Sequence, residues 1–228
     1  MTVSPIKVIE LKASVLADND ADAALLREEN RRKKVFYVNM MSSPGAGKTT
    51  LLLAALRRLD PSIAAAVMEA DIDSDVDAAA VREAGFPVVQ LHTGGMCHLD
   101  AAMSRQGLSQ PEIAGADMVF LENVGNLVCP AEFDTGAALN VVLLSIPEGD
   151  DKPLKYPLMF EKADMIVLTK IDAAEAFDFD EARFRANAAL CNPEARIYPV
   201  SALTGEGMAA WCRALEDSCK AFFGRCES

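Results

Sequence analysis

A chain of 228 residues, 51% of them apolar, is long enough for one sizeable α/β domain with a well-buried core. A formal net charge of -12 argues against nucleic acid or an anionic membrane surface as a main partner, and no apolar run of membrane-spanning length and no basic-then-apolar leader is read. Six cysteines without framework spacing, in a chain too large to need staples, fit a reducing cytoplasm with thiols free for metal binding or packing.

Residues 1–17 are weakly patterned and read as a short strand or an arm. Residues 18–34, with Leu25 and Leu26 on one modest apolar stripe and a basic end, predict a helix. The expected organisation is therefore an N-terminal arm and helix, 1–34, packed on a domain spanning 35–228.

Val35–Met41 predicts a buried strand and Leu51–Leu59 a helix. Between them stands Ser42-Ser43-Pro44-Gly45-Ala46-Gly47-Lys48-Thr49-Thr50. Strand, Gly-rich turn, Lys-Thr and helix form the context of a phosphate-binding loop. The small residues Gly45, Ala46 and Gly47 let backbone N–H groups point at phosphate oxygens, and the helix N-terminus, with Thr50 in its first turn, adds partial positive charge. Lys48 can reach the β- and γ-phosphates, and the Thr49 hydroxyl can ligate Mg²⁺. Ser42 stands where the pattern has its first glycine, and is small enough to be tolerated.

A short strand, Ile63–Met68, runs into the acidic series Glu69 to Asp77, whose acidic residues at every second position either line one face of an extended segment or solvate a loop. That position, after the strand downstream of the phosphate loop, is where nucleotide switches place their first mobile segment. Asp71 is the carboxylate expected to approach Mg²⁺ or the attacking water. A helix over 78–84 ends at Gly85, and 86–91 resumes as a strand. The turn Thr93-Gly94-Gly95-Met96-Cys97-His98-Leu99-Asp100 then presents adjacent Cys and His. Helices are predicted over 99–108 and 111–116, strands at 118–121, 141–146, 165–168 and 197–200, and helices near 179–190 and 207–223. Alternation of apolar strands with helices, without repeats or linkers, predicts a mostly parallel sheet covered on both faces.

Three stretches at strand ends choose the base. Glu122-x-x-Gly125 can bring a carboxylate to the Mg²⁺ shell and a glycine N–H to the γ-phosphate. In Thr169-Lys170-x-Asp172, the carboxylate can accept from guanine N1–H and N2–H₂ while the lysine stem lies across the purine. Ser201-Ala202-Leu203 suits backbone contact with guanine O6. Guanine is expected over adenine, and Lys48, Asp71 and Glu122 form the expected catalytic set, with Thr49, Asp71 and Glu122 holding Mg²⁺. Thr169 replaces the usual Asn of Asn-Lys-x-Asp, which puts the bracing contact to the phosphate loop in doubt.

The segments TGGMCHLD (93–100), ENVGNLVCP (122–130) and EGDDKPLKYP (148–157), with SSPGAGKTT and SALTGEG, resemble the HypB family, GTPases that assist nickel insertion into nickel–iron hydrogenases. The resemblance spans roughly residues 35–215. It implies a P-loop fold of the signal-recognition and MinD-related class, slow switch-like hydrolysis of GTP to GDP, and a Ni²⁺ or Zn²⁺ site at the interface of a nucleotide-linked homodimer. By it, Cys97, His98 and Cys129 carry over as ligands, and other maturation proteins and the hydrogenase large subunit as partners. Thiolate and imidazole suit those ions; contiguous Cys97 and His98 need a sharp bend, which Gly94 and Gly95 permit. Cys129 shares its segment with Glu122 and Gly125, so nucleotide state is expected to govern metal affinity. A GTPase serving another nickel enzyme such as urease, and a non-catalytic metal-binding scaffold, are the alternatives.

Cys212, Cys219 and Cys226 recur every seven residues, about 10 Å apart along a helix, too far to share one ion; they and Cys191 are expected as packing or surface thiols. Departures from the family are Ser74 for Thr, Ala80 for Arg, and no Cys or His in residues 1–34, so no N-terminal nickel tract is expected. Contact of Lys152 with guanine across the dimer rests on resemblance alone.

Overall fold

The computed structural model describes residues 8–10 and 19–224; the expectations for residues 1–7, 11–18 and Cys226 lie outside the described residues. Eight strands form one sheet: β1 (Val8–Glu10), β2 (Phe36–Ser42), β3 (Ala65–Asp71), β4 (Val88–His92), β5 (Met118–Glu122), β6 (Leu139–Ser145), β7 (Met165–Thr169) and β8 (Arg196–Pro199). Every pairing is parallel, in the order β1-β4-β3-β5-β2-β6-β7-β8. The helices are α1 (Asn19–Lys33), α2 (Lys48–Leu56), α3 (Val76–Glu83), α4 (Ala101–Leu108), α5 (Cys129–Glu132), α6 (Lys152–Lys155), α7 (Pro157–Glu161), α8 (Glu181–Cys191) and α9 (Met208–Gly224).

Parallel strands must bury both faces, and β2 is buried along its whole length. Its side chains alternate between the faces. Phe36, Val38 and Met40 pack with Leu52 and Ala55 of α2 and Trp211 and Leu215 of α9. Tyr37 joins Met68, Leu91 and Met103 on the other face, where its hydroxyl donates to Ser104 at 3.0 Å. Met41 joins Val142, Phe160 and Phe184. Cys212 and Cys219 lie inside the first cluster, where burial pushes both thiols up to about 11, in keeping with packing roles. Helix α1 is tied down by Arg27, which pairs with Asp134 at 2.5 Å and donates to the Ala137 carbonyl at 2.8 Å.

Strand β2 lies between β5 and β6. The chain leaves it toward β3 on one side and later returns past it to β6 on the other. The crevice at the carboxyl ends of strands flanking such a reversal is where open α/β sheets bind ligands.

Several boundaries differ from expectation, two of them informatively. Strand β3 continues beyond Met68 to Asp71, so the acidic series begins as an extended segment and Glu69 is a buried strand residue. A carboxylate ends the apolar pattern, but the ladder to β5 runs up to it and the ladder to β4 carries on past it to Asp71. The helix expected over 111–116 is only a 3₁₀ turn, Pro111–Ile113, because the chain turns away at Gly115 with φ of 83°.

Candidate nucleotide and metal site

The loop after β2 turns through Gly45 and Gly47, both at positive φ (77° and 91°), and Gly47 opens α2 with the helix N-terminus facing the crevice. Ser42 is fully buried as the last residue of β2; its hydroxyl donates to the Ser43 carbonyl at 2.7 Å and accepts from Lys48 Nζ at 3.1 Å. Serine thus fits the position of the missing glycine and gives the lysine a resting partner.

The doubt about Thr169 is removed. Its Oγ1 donates to the Ala46 carbonyl at 2.7 Å from a position 4% exposed. β7 ends close enough to the loop for a hydroxyl to span the gap. Lys170, at φ 60°, lays its stem along the loop and donates from Nζ to the Gly45 carbonyl at 2.7 Å. Asp172 is exposed on the 3₁₀ turn Ile171–Ala176. The Ile171 N–H donates to the Val200 carbonyl, which sets this turn beside Ser201, Ala202 and Leu203.

A cleft of about 580 Å³ runs from the loop to the ends of β3 and β5. Of the expected residues, Gly45, Gly47, Lys48, Thr49, Thr50, Asp71, Glu122, Gly125 and Lys170 line it. Ala46 and Thr169 are buried, and with Asp172, Ser201, Ala202 and Leu203 they stand outside its walls. Glu69 and Asp77 line it too.

The carboxylates of the cleft are arranged by strand register. Glu69 and Glu122 are direct partners between β3 and β5. Together with Asp77 they place ligand oxygens within 4.8 Å of one another. Thr49 Oγ1 donates to Glu122 Oε1 at 2.8 Å. Glu69 Oε2 and Glu122 Oε2 are buried without a hydrogen-bond partner. Burial, then the charges of Glu122 and Asp77, push Glu69 well above the ordinary carboxylate range. Burial also raises Glu122, against the opposing pull of Lys48 and of the Thr49 hydrogen bond. Hard oxygen donors, two of them orphaned, suit a divalent cation such as Mg²⁺. Asp71 lines the same cleft, but its Oδ1 accepts from the Asp73 and Ser74 N–H groups at 3.0 and 2.8 Å, closing its own turn. Of the carboxylates expected at the cation, Glu122 is in this cluster and Asp71 is not; Glu69 and Asp77 are the members outside the expected set.

The second constellation lies next door, because the turn after β4 is fastened to the end of β3 by the Thr93 N–H donating to the Asp71 carbonyl. Gly94 and Gly95 take positive φ (65° and 95°), giving the expected sharp bend. Cys97 Sγ lies 4.0 Å from His98 Nδ1, and the His98 ring stacks on Phe133 at 3.4 Å between centroids. Burial lowers the His98 pKa, which favours the neutral, ligating imidazole. The Cys97 thiol beside it is the first cause of the raised pKa of Cys129. Among the described residues, only Glu69, Asp77 and Glu122 bring three ligand atoms within 4.8 Å. Cys97, His98 and Cys129 are adjacent within one chain without being drawn to that spacing. Lys152 sits above the Tyr156 ring at 5.5 Å.

Comparison with known proteins places this geometry. The CobW/HypB/UreG nucleotide-binding domain family matches residues 36–199. The hydrogenase maturation factor HypB of Azotobacter chroococcum mcd 1 is 44% identical over 214 residues, covering 94% of this chain and 70% of that protein. The crystal structure of HypB from Helicobacter pylori in complex with nickel superposes with a TM-score of 0.85 at 35% identity, over 91% of this chain and 97% of that one. The signal recognition particle receptor FtsY from Elizabethkingia anophelis, in complex with GDP, shares the fold alone: TM-score 0.53 and 13% identity, over 82% and 67% of the two chains.

Proposed function

The chain belongs to the CobW/HypB/UreG family and, within it, to the HypB hydrogenase maturation factors, and from that premise we propose that it is a GTP-hydrolysing switch that carries nickel for insertion into a nickel–iron hydrogenase. Its cargo binds at Cys97, His98 and Cys129, Zn²⁺ competing for the same donors. It works as a homodimer in the cytoplasm, where thiols stay reduced, handing metal on with other maturation proteins to the hydrogenase large subunit.

The N–H groups of Gly45 to Thr50 cradle the phosphates and Lys48 leaves Ser42 to reach the β- and γ-phosphates. Asp172 accepts from the guanine edge, with Lys170 along the ring and Ser201, Ala202 and Leu203 offering backbone to O6. Thr49 and Glu122, with Glu69 and Asp77 beside them, would hold Mg²⁺, while Asp71 lines the same cleft. When bound, that ion neutralises charge on the phosphate oxygens. Lys48 stabilises the charge that develops on the transferred group, and the carboxylates orient the attacking water.

The observation that carries the proposal is the continuity of one short segment. Glu122 meets Thr49 at one end, and Cys129 meets Cys97 seven residues on. A segment that shifts with the γ-phosphate shifts a metal ligand with it. Exposed apolar side chains in the segments that follow the strands' carboxyl ends, Ile72, Val76, Val128 and Leu154 among them, support a second copy on this face.

Sizing the protein with GDP and with a non-hydrolysable GTP analogue, each with and without Ni²⁺, tests the reading. Nucleotide- or nickel-dependent dimerisation is expected; a monomer in every condition overturns the dimer and the switch. Loss of single-turnover hydrolysis in Lys48→Ala, with the fold retained, is the matching control, and turnover equal to wild type would leave only a metal-binding scaffold.

A further inference from the structure

We propose that Asn126 is a positioning residue for the Cys129 sulfur and that it ties this sulfur to the backbone at Gly125, where the phosphate cleft begins. The inference rests on the reading of Cys97, His98 and Cys129 as the nickel site.

Asn126 makes three contacts within its own turn. Its Oδ1 accepts from the Val128 N–H at 2.7 Å and from the Cys129 N–H at 3.3 Å, and its Nδ2 donates to Cys129 Sγ at 3.4 Å. The two N–H donors fix which way the amide faces, since only an oxygen can accept from both. The amide NH₂ is thereby aimed at the sulfur. An N–H donor beside a metal thiolate orients it and tempers its charge, and loss of such an outer contact commonly costs ten- to a hundredfold in metal affinity.

The residue before it is where the segment passes the phosphate loop. A Cβ added to Gly125 would stand 3.2 Å from the Pro44 N and Cα. A displacement of Gly125 turns the backbone that carries Asn126. Because the Asn126 side chain grips the backbone at 128 and 129 as well as the sulfur, the turn moves as one piece.

A role limited to shaping the turn makes a different prediction. Asn126→Asp keeps an oxygen for the Val128 and Cys129 N–H groups but sets a second oxygen against the sulfur; Asn126→Ala removes both. The full chain is titrated with Ni²⁺ alone, in GDP and in a non-hydrolysable GTP analogue, following the thiolate-to-nickel charge-transfer band. Both variants are expected to bind Ni²⁺ about tenfold or more weakly, with a shifted band and a smaller affinity difference between nucleotides. Wild-type affinity, band and nucleotide dependence in Asn126→Asp overturn the proposal, whatever Asn126→Ala does. Cys129→Ala separates the two levels. If it binds Ni²⁺ as wild type does, the site reading itself fails. If it loses Ni²⁺ while Asn126→Asp does not, only the role of Asn126 fails.

Discussion

Glu69 and Glu122 stand directly opposite each other on adjacent strands β3 and β5, both almost fully buried and each with one oxygen lacking a partner. Like charges in a cross-strand pair are destabilising, and low dielectric sharpens the cost. Nothing in the packing of the sheet calls for this pair; it makes sense as a ligand wall for a cation facing Thr49 and Lys48.

That pairing gives the nucleotide-free protein a pH dependence. Burial, Glu122 and Asp77 raise Glu69 well above its ordinary value of 4.5, so the folded chain holds a proton that the unfolded chain releases. The contribution to stability is full below the unfolded value and is lost as pH rises through the folded one. Glu69→Gln removes the titration. At neutral pH, without nucleotide or Mg²⁺, the variant is expected to be more stable by about 1 kcal/mol, seen as a rise in Tm of about 2–4 °C. Below pH 4.5 the two proteins converge. Thermal melts across pH 4 to 8 check this, and parallel curves would refute it.

Sequence and structure part company at this pair, and the reason is physical. The apolar run ends at Met68, and acidic residues at every second position after it fit an extended segment and a solvated loop alike. The register that brings Glu69 onto Glu122 is a property of two strands some fifty residues apart, and neither periodicity nor local spacing encodes it. Glu122 itself was legible, because it ends an apolar run three residues before a glycine. The phosphate loop, the parallel sheet and the bend at Gly94 and Gly95 were legible for the same reason: each is dictated by residue types within a short window. Thr169 shows the opposite limit, since whether a hydroxyl can span to Ala46 depends on how closely β7 approaches the loop.

The Thr169 contact has a measurable value. Thr169→Val keeps the shape of the side chain and deletes the hydrogen bond to the Ala46 carbonyl, leaving a buried acceptor unmet. GDP affinity is expected to fall from a few-fold to about tenfold, while Thr169→Asn, which restores a donor, recovers much of the loss. Calorimetric titration of the two variants distinguishes them; undiminished GDP binding by Thr169→Val would show that the loop needs no brace.

On the proposed reading Asp172, exposed beside the turn at Ser201, selects the base. A carboxylate matches the two donors of guanine, and an amide does not. Asp172→Asn is expected to lose GDP affinity by about a hundredfold or more, and to favour a xanthine nucleotide, whose carbonyl accepts from the new NH₂. Competition between guanosine and xanthosine diphosphates reads this directly, and an unchanged preference for guanine would move the discriminating role elsewhere.

The segment from Glu122 to Cys129 passes close to the phosphate loop at Gly125, where an added methyl would press on the Pro44 backbone. The neighbour is main chain held within the loop, so the segment has to give. Overpacking of this kind costs about 1–3 kcal/mol, and the cost falls on the state in which the segment closes over the γ-phosphate. Gly125→Ala is therefore expected to weaken a GTP analogue by about tenfold relative to GDP and to leave GDP affinity nearly unchanged. If nucleotide state reaches the metal through this segment, Ni²⁺ affinity in the variant no longer differs between the two nucleotides, although Cys97, His98 and Cys129 are untouched. Paired nickel titrations in GDP and in the analogue measure that difference. Its survival in Gly125→Ala, alongside the loss of analogue binding, would mean that the metal senses the nucleotide by another route, through the turn at 93–100 that hangs from the Asp71 carbonyl.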